Sequence, residues 1–327
     1  MATPHPAPRT PVMVETVHGP IPADQLGMTL THEHLFAQWV ARAAVGETES
    51  RPVDATMQWL LTENPAYTMD NLVHNDVPGI AEELGWFTAQ GGRTIIDCTL
   101  PEIGRSVSAL QEIATHAGIN IVMGSGWYLE RFDEDRSDTS IDELVEQLTL
   151  ELTEGVDGTG IKPGIIGEIG VSPLFTDSER LRLRAAARVQ KRVGVPLVIH
   201  MPGWQRRAPE VLQIVLDEEG VAPGAVVLCH MDPSGEDATY QRAVGERGVW
   251  MEFDMIGKNT WFEGEGQSPS PEQTANAVAR LIAQGFAGQI LLSHDLGAKS
   301  DWTRYGANGL GFIHASSCLA SYAMERR

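Results

Sequence analysis

The sequence has little cysteine, little positive charge and no long apolar run. Three cysteines (Cys98, Cys229 and Cys318) in 327 residues are too few and too scattered for a disulfide framework, and an odd number leaves one unpaired. A reducing, cytoplasmic setting is the expectation. Lys and Arg total 24 against 44 Asp and Glu, a formal charge of −20. A polyanion has no electrostatic footprint for a phosphate backbone and is repelled by anionic lipid, so neither nucleic acid nor a membrane is an expected partner. No window reaches the roughly eighteen apolar residues needed to span a bilayer. The opening MATPHPAPRTP lacks a basic segment followed by an apolar run, which argues against a secretory signal. Its four prolines predict a flexible tail over 1–11. Neither GSG at 124–126 nor GANGLG at 306–311 has the G-x-G-x-x-G register of a phosphate loop after a strand.

What is present is an alternation. Short β-branched apolar runs lie at 28–34, 94–99, 120–126, 164–171, 196–202, 226–232, 249–257 and 289–296. Helical stretches follow them at roughly 79–90, 105–117, 140–154, 178–193, 207–219, 235–247, 272–284 and after 302. The clearest is SERLRLRAAARVQKRV, with Asp177 or Ser178 as N-cap and Gly194 closing the end. Eight such units predict parallel strands and a (β/α)8 TIM barrel, with an open doubly wound sheet as the alternative. The segment 14–27 predicts a short N-terminal hairpin plugging or flanking the barrel, and 36–76 is long enough to fold over its mouth. With no strong linker, residues 12–327 are expected to form a single domain.

The ten histidines are placed informatively. His32 and His34 are two apart at the end of strand one, so both imidazoles point to one face. His200 ends strand five, His230 ends strand six, Asp295 ends strand eight, and Glu168 lies late in strand four. A barrel gathers strand C-termini at one mouth, which brings these six metal-competent side chains together. His294 is expected to face away from Asp295 in a structural role. Cys98 and Cys229 are expected to be buried hydrophobes, with Cys229 facing opposite to His230.

In that order (H-x-H, carboxylate, His, His, Asp), running from VETVHGPIPADQLGMTLTHEH through GIIGEIGVSPLFTDSE and VIH to LLSHD, the chain resembles the phosphotriesterase family of the amidohydrolase superfamily. Glu168 stands where better-known members carry a carboxylated lysine, and Lys162 lies before the strand, so the likeness is to the glutamate-bridged branch. The resemblance implies two divalent metal ions per chain. His32, His34 and Asp295 would hold the more buried one and His200 and His230 the more exposed one, with Glu168 and a solvent hydroxide bridging them. Nitrogen and oxygen ligands without thiolate suit zinc, with manganese, cobalt or iron as alternatives.

The reaction implied is hydrolysis, the hydroxide attacking and Asp295 accepting or relaying its proton. A lactone is the first expectation among lactone, ester and amide, with promiscuous phosphotriesterase and arylesterase activity. The alternatives are an amidohydrolase for an N-acyl amide bearing an anionic group, a mononuclear deaminase, and a non-catalytic binding protein. Loops after strands shape specificity. They offer Trp127, Tyr128 and Arg131, then Lys258 and Trp261, then Arg304 and Tyr305 as contacts to a small-molecule substrate. Arg304 is expected either to hold a substrate anion or to form a surface ion pair. The loop 258–271 is expected to act as a lid, and the chain to form a homodimer.

Overall fold

The computed structural model describes residues 11–39, 51–133 and 139–315. Most of the expected 1–11 tail, Cys318, part of the 36–76 segment and the end of the last helical stretch lie outside them. Eight parallel strands form one sheet: β1 Met28–Glu33, β2 Gly92–Asp97, β3 Asn120–Ser125, β4 Ile165–Gly170, β5 Leu197–His200, β6 Val226–Leu228, β7 Trp250–Phe253 and β8 Ile290–Leu292. Each pairs with the next in sequence except β8, which follows β7 and turns back to β1. This is the TIM barrel the alternation predicted.

Closure between β8 and β1 runs through single hydrogen bonds. Asp295 N–H donates to His32 O at 3.1 Å and His34 N–H to Leu296 O at 3.3 Å. Glu33, between the two histidines, faces outward. It accepts from Ser293 Oγ at 2.7 Å and from the backbone N–H groups of His294 at 3.0 Å and Leu296 at 2.8 Å. His294 Nδ1 meets the same carboxylate at 3.0 Å, which gives His294 the structural role expected of it.

The helices α1 Val77–Thr88, α2 Val107–Ala117, α3 Ile141–Glu154, α4 Asp177–Val193, α5 Ala208–Leu212, α6 Ala238–Glu246, α7 Pro271–Ala283 and α8 Phe312–Ala315 surround the sheet. In α4 the cap is Thr176 rather than Asp177 or Ser178. Glu179 N–H donates to the Thr176 hydroxyl at 3.2 Å and the Glu179 carboxylate accepts Thr176 N–H at 3.1 Å, a reciprocal box that a neighbouring Asp cannot form. Gly194 closes the helix at φ 80. Among the described residues no helix is long and apolar enough to cross a membrane.

Alternation along the strands sorts the core. Leu197 and Ile199, Val226 and Leu228, and Met251 and Phe253 pack outward against the helices. Val198, Val227 and Cys229 join Cys98, Val122 and Ile165 inside the barrel. The hairpin of Met13–Val14 with Ile21–Pro22 closes the end opposite the mouth, with Val17 N–H on Ile121 O at 2.9 Å and Leu26 O accepting from Thr94 Oγ1 at 2.6 Å. At the mouth, Ala37–Gln38 pairs with Val73–His74, so the long insertion does fold over the opening.

Candidate metal centre

Three of the six expected ligands reach the mouth only through irregular backbone. On a flat strand Glu168 would share the outer face of Ile166. A register shift between Ile166 and Ile169, with Gly167 at φ 122, turns it inward. Gly167 is required there, because a Cβ would lie 2.1 Å from Val198 O. β6 ends at Leu228, two residues before His230. His230 sits at φ 55, so it points into the barrel beside Cys229 rather than opposite to it, which corrects the strand-alternation expectation. Asp295 likewise lies beyond β8, at φ 51.

The inward atoms form two sets that share Glu168. His34 Nε2 is 3.2 Å from Glu168 Oε1 and 3.3 Å from Asp295 Oδ1, and His32 Nε2 is 3.8 Å from Asp295 Oδ1. His200 Nδ1 and His230 Nε2 are 2.8 Å apart, at 2.9 and 3.4 Å from Glu168 Oε2. His32 Nε2, His34 Nε2 and Glu168 Oε1 are buried and have no hydrogen-bond partner among the described residues. Orphaned buried atoms of this kind are costly unless something else satisfies them. Ligands about 2.1 Å from a tetrahedral divalent ion stand about 3.4 Å from one another, close to the spacing seen here. The residues therefore fit a metal.

The opposite ring nitrogens are held from behind. His230 Nδ1 is 2.9 Å from Asp254 Oδ1, His32 Nδ1 is 3.2 Å from Glu252 Oε2, and His34 Nδ1 is 3.1 Å from Thr99 Oγ1. Such partners fix the tautomer that presents Nε2 to a metal. Sequence reading missed Glu252 and Asp254, although their E-x-D spacing at the end of β7 repeats the signal of H-x-H at the end of β1. Burial alone would raise the Glu168 carboxyl, but the imidazoles of His32 and His200 outweigh it and hold it well below the usual range. Asp295 is likewise pushed up by burial and pulled further down by Lys258 and His34. Burial pushes the Cys98 thiol up to about 12 and Cys229 well above its ordinary value, so both remain protonated core side chains.

A cavity of about 190 Å³ lies over these ligands. Tyr128, Arg131 and Lys258 line it as expected, together with Pro65 and Leu72 from the mouth insertion. Trp39, Trp204, Phe262 and Glu265 also line it and were not anticipated. Lys258 is committed to Asp295, at 2.6 Å from Oδ2, so it acts on a ligand rather than standing free for substrate.

Trp261 and Arg304 do not line the cavity. Trp261 is 44% exposed, because alternation in the Trp261–Phe262 strand sends Phe262 inward instead. Arg304 is held at the surface by Asp76 at 3.3 Å and Glu82 at 2.6 Å, the ion-pair outcome of its two expected roles. The 258–271 stretch forms a hairpin of Trp261–Phe262 with Gly266–Gln267, seated on Trp204.

The phosphotriesterase family model matches residues 12–319. An N-acetyltaurine hydrolase from Danio rerio is 34% identical over 310 residues, covering 92% of this chain and 88% of that protein. The crystal structure of a resiniferatoxin-binding protein from Rhodobacter sphaeroides has a TM-score of 0.90 at 38% identity, covering 96% of this chain and 90% of that one. A lactonase from Listeria monocytogenes has a TM-score of 0.74 at 26% identity, covering 93% and 88%. A match of that span, on a barrel whose mouth presents a metal-ready ligand set, makes this chain a member of the phosphotriesterase family and a metal-dependent hydrolase.

Proposed function

We propose that the chain is a two-metal amidohydrolase cleaving an N-acyl amide whose amine half carries an acidic group. The observation that carries the two-metal part is Glu168. Its Oε1 faces His34 and its Oε2 faces His200 and His230, so one carboxylate serves both ligand sets. A mononuclear deaminase needs no such bridge. Zinc suits the nitrogen and oxygen donors, with manganese, cobalt or iron as alternatives. Two divalent ions held by these residues would lower the pKa of a bound water toward about 7 and polarise the scissile carbonyl.

The chain's own residues supply the rest. Lys258 keeps Asp295 ionised and turned so that Oδ1 faces the histidines, where it can take the proton released by the attacking water and return it to the leaving nitrogen. Trp39, Tyr128 and Phe132 form one wall, with Trp39 edge-on to His34 at 4.7 Å and Tyr128 edge-on to His200 at 5.1 Å. They exclude bulk water from the reacting carbonyl. Arg131 lines the same cavity, lies over the Phe132 ring at 5.2 Å, and has no carboxylate partner among the described residues. A guanidinium there suits a carboxylate or sulfonate on the substrate.

The amide reading is supported by the N-acetyltaurine hydrolase relative at 34% identity, and the lactone reading by the lactonase neighbour at 26%. The test is a kcat/KM panel on zinc- and manganese-loaded protein covering N-acyl taurines, N-acyl amino acids and lactones of matched acyl length. Higher kcat/KM on the acidic amides supports the proposal, and a tenfold preference for lactones would overturn it. Metal analysis should find two ions per chain, and Glu168→Ala should lose both the second ion and turnover. A wild-type chain holding less than one ion would remove the two-metal reading.

A further inference from the structure

Four carboxylates and two cations other than histidine line the cavity, and all but one of each are already committed. Glu168 faces the histidines, and Asp295 is held by Lys258 at 2.6 Å. Asp301 accepts the backbone N–H groups of Gly297 and Ala298 at 3.1 and 2.9 Å. The carboxylate of Glu265 has no hydrogen-bond or ion-pair partner among the described residues, and the guanidinium of Arg131 has no acidic one. Among the described residues the cavity therefore keeps one unpaired charge of each sign.

The Glu265 charge is carried on supported backbone. Glu265 sits in the turn of the Trp261–Gln267 hairpin, its N–H donating to Phe262 O at 3.0 Å. Phe262 packs on Trp204 with ring centroids 5.3 Å apart. Gly266, at φ 152, approaches the same indole so closely that a Cβ would lie 2.5 Å from Trp204 Nε1. Glu265 and Arg131 line the same cavity as Tyr128 and His200. The Tyr128 and His200 rings are 5.1 Å apart, so both charges border the cavity that opens on that ligand.

We propose that the cavity selects a dipeptide-like zwitterion: an amide with an acidic group on its amine half, received by Arg131, and an ammonium on its acyl half, received by Glu265. This rests on the amidohydrolase reading above, which places the anion on the amine half and leaves the acyl half for the ammonium. A carboxylate without a cationic partner among the described residues, in the cavity of a chain with charge −20, disfavours a substrate bearing only an anion, and an ammonium converts that repulsion into attraction. The reaction balances as hydrolysis. The amide C–N bond breaks, the water oxygen bonds the acyl carbon to give a carboxylate, and both water protons end on the leaving nitrogen, which departs as an ammonium.

The test uses isosteres, with zinc-loaded full-length protein. Glycyltaurine and N-propionyltaurine differ by an ammonium in place of a methyl group, and the corresponding isethionate esters form a second pair. The expected result is at least a tenfold higher kcat/KM for the ammonium member of each pair, a ratio that Glu265→Gln brings down about tenfold. Arg131→Met lowers kcat/KM on both members. A ratio is insensitive to the folded fraction of a preparation, so partial misfolding of a variant does not blur it. Where turnover is too slow to read, the ratio of the two dissociation constants by calorimetry decides in the same way. A wild-type ratio at or below one, or a ratio that Glu265→Gln leaves in place, overturns the proposal while leaving the amide reading intact. Selective ester cleavage without amide cleavage removes the amide reading and keeps the charge selection.

Discussion

Lys258 Nζ lies 2.6 Å from Asp295 Oδ2, which leaves Asp295 Oδ1 3.3 Å from His34 Nε2. One carboxylate is thus divided between a buried cation and a metal ligand set. Replacing Lys258 with Met would leave a buried carboxylate with nothing to hold its second oxygen or its charge. The expected outcome is about a 10- to 100-fold loss in metal affinity, the range found for groups that orient ligands, with a fall in kcat larger than the change in KM. Chelator competition and steady-state kinetics measure both, and retention of metal and kcat would reduce Lys258 to a wall.

Asp254 holds His230 through Nδ1 at 2.9 Å and also lies 3.3 Å from His32 Nδ1. A single carboxylate behind two ligand histidines couples both ligand sets. Asp254→Asn should weaken metal retention by about 10- to 100-fold, and the loss should fall on both sites rather than one. Metal analysis after dialysis would reveal loss confined to one ion, which contradicts the shared role.

Glu33 closes the barrel by accepting from Ser293, His294 and Leu296 across the β8–β1 seam. Glu33→Ala strands those buried groups and should cost about 3–5 kcal/mol in urea unfolding. Arg304→Ala removes only a surface pair and should cost about 0–1 kcal/mol, with no change in turnover. A comparable midpoint shift for the two variants would contradict the seam argument.

His74 is fully buried beside Trp302, with ring centroids 5.5 Å apart, and neither ring nitrogen has a partner among the described residues. Burial first, and then the positive charge of His34 and Lys299, lower its pKa from 6.5 to about 3. Between those values the unfolded chain binds a proton that the folded chain does not. Stability is therefore fully present above about pH 6.5 and is lost as pH falls toward 3. His74→Phe should flatten that loss by up to about 1.4 kcal/mol per pH unit, read from urea midpoints at matched metal load. Parallel pH profiles for the two proteins would refute it.

Much of this molecule is written locally. The βα alternation, the paired imidazoles of His32 and His34, and the order of the ligands along the chain depend on residue type, period and strand ends, all of which act over a few residues. The sequence alone therefore determined the barrel and the six metal-competent side chains. The tertiary structure decided which way several of them face. Glu168 is turned inward by a bulge at Gly167, and His230 and Asp295 by left-handed backbone. These conformations are set by pairing with β5 and by closure against β1, not by local preference. Long-range packing likewise placed Asp254 and Glu252 behind the imidazoles and drew Arg304 to Asp76 and Glu82. Among the described residues it left Arg131 and Glu265 as the unpaired charges of the cavity, because a side chain's partner depends on which loops the closed barrel brings together.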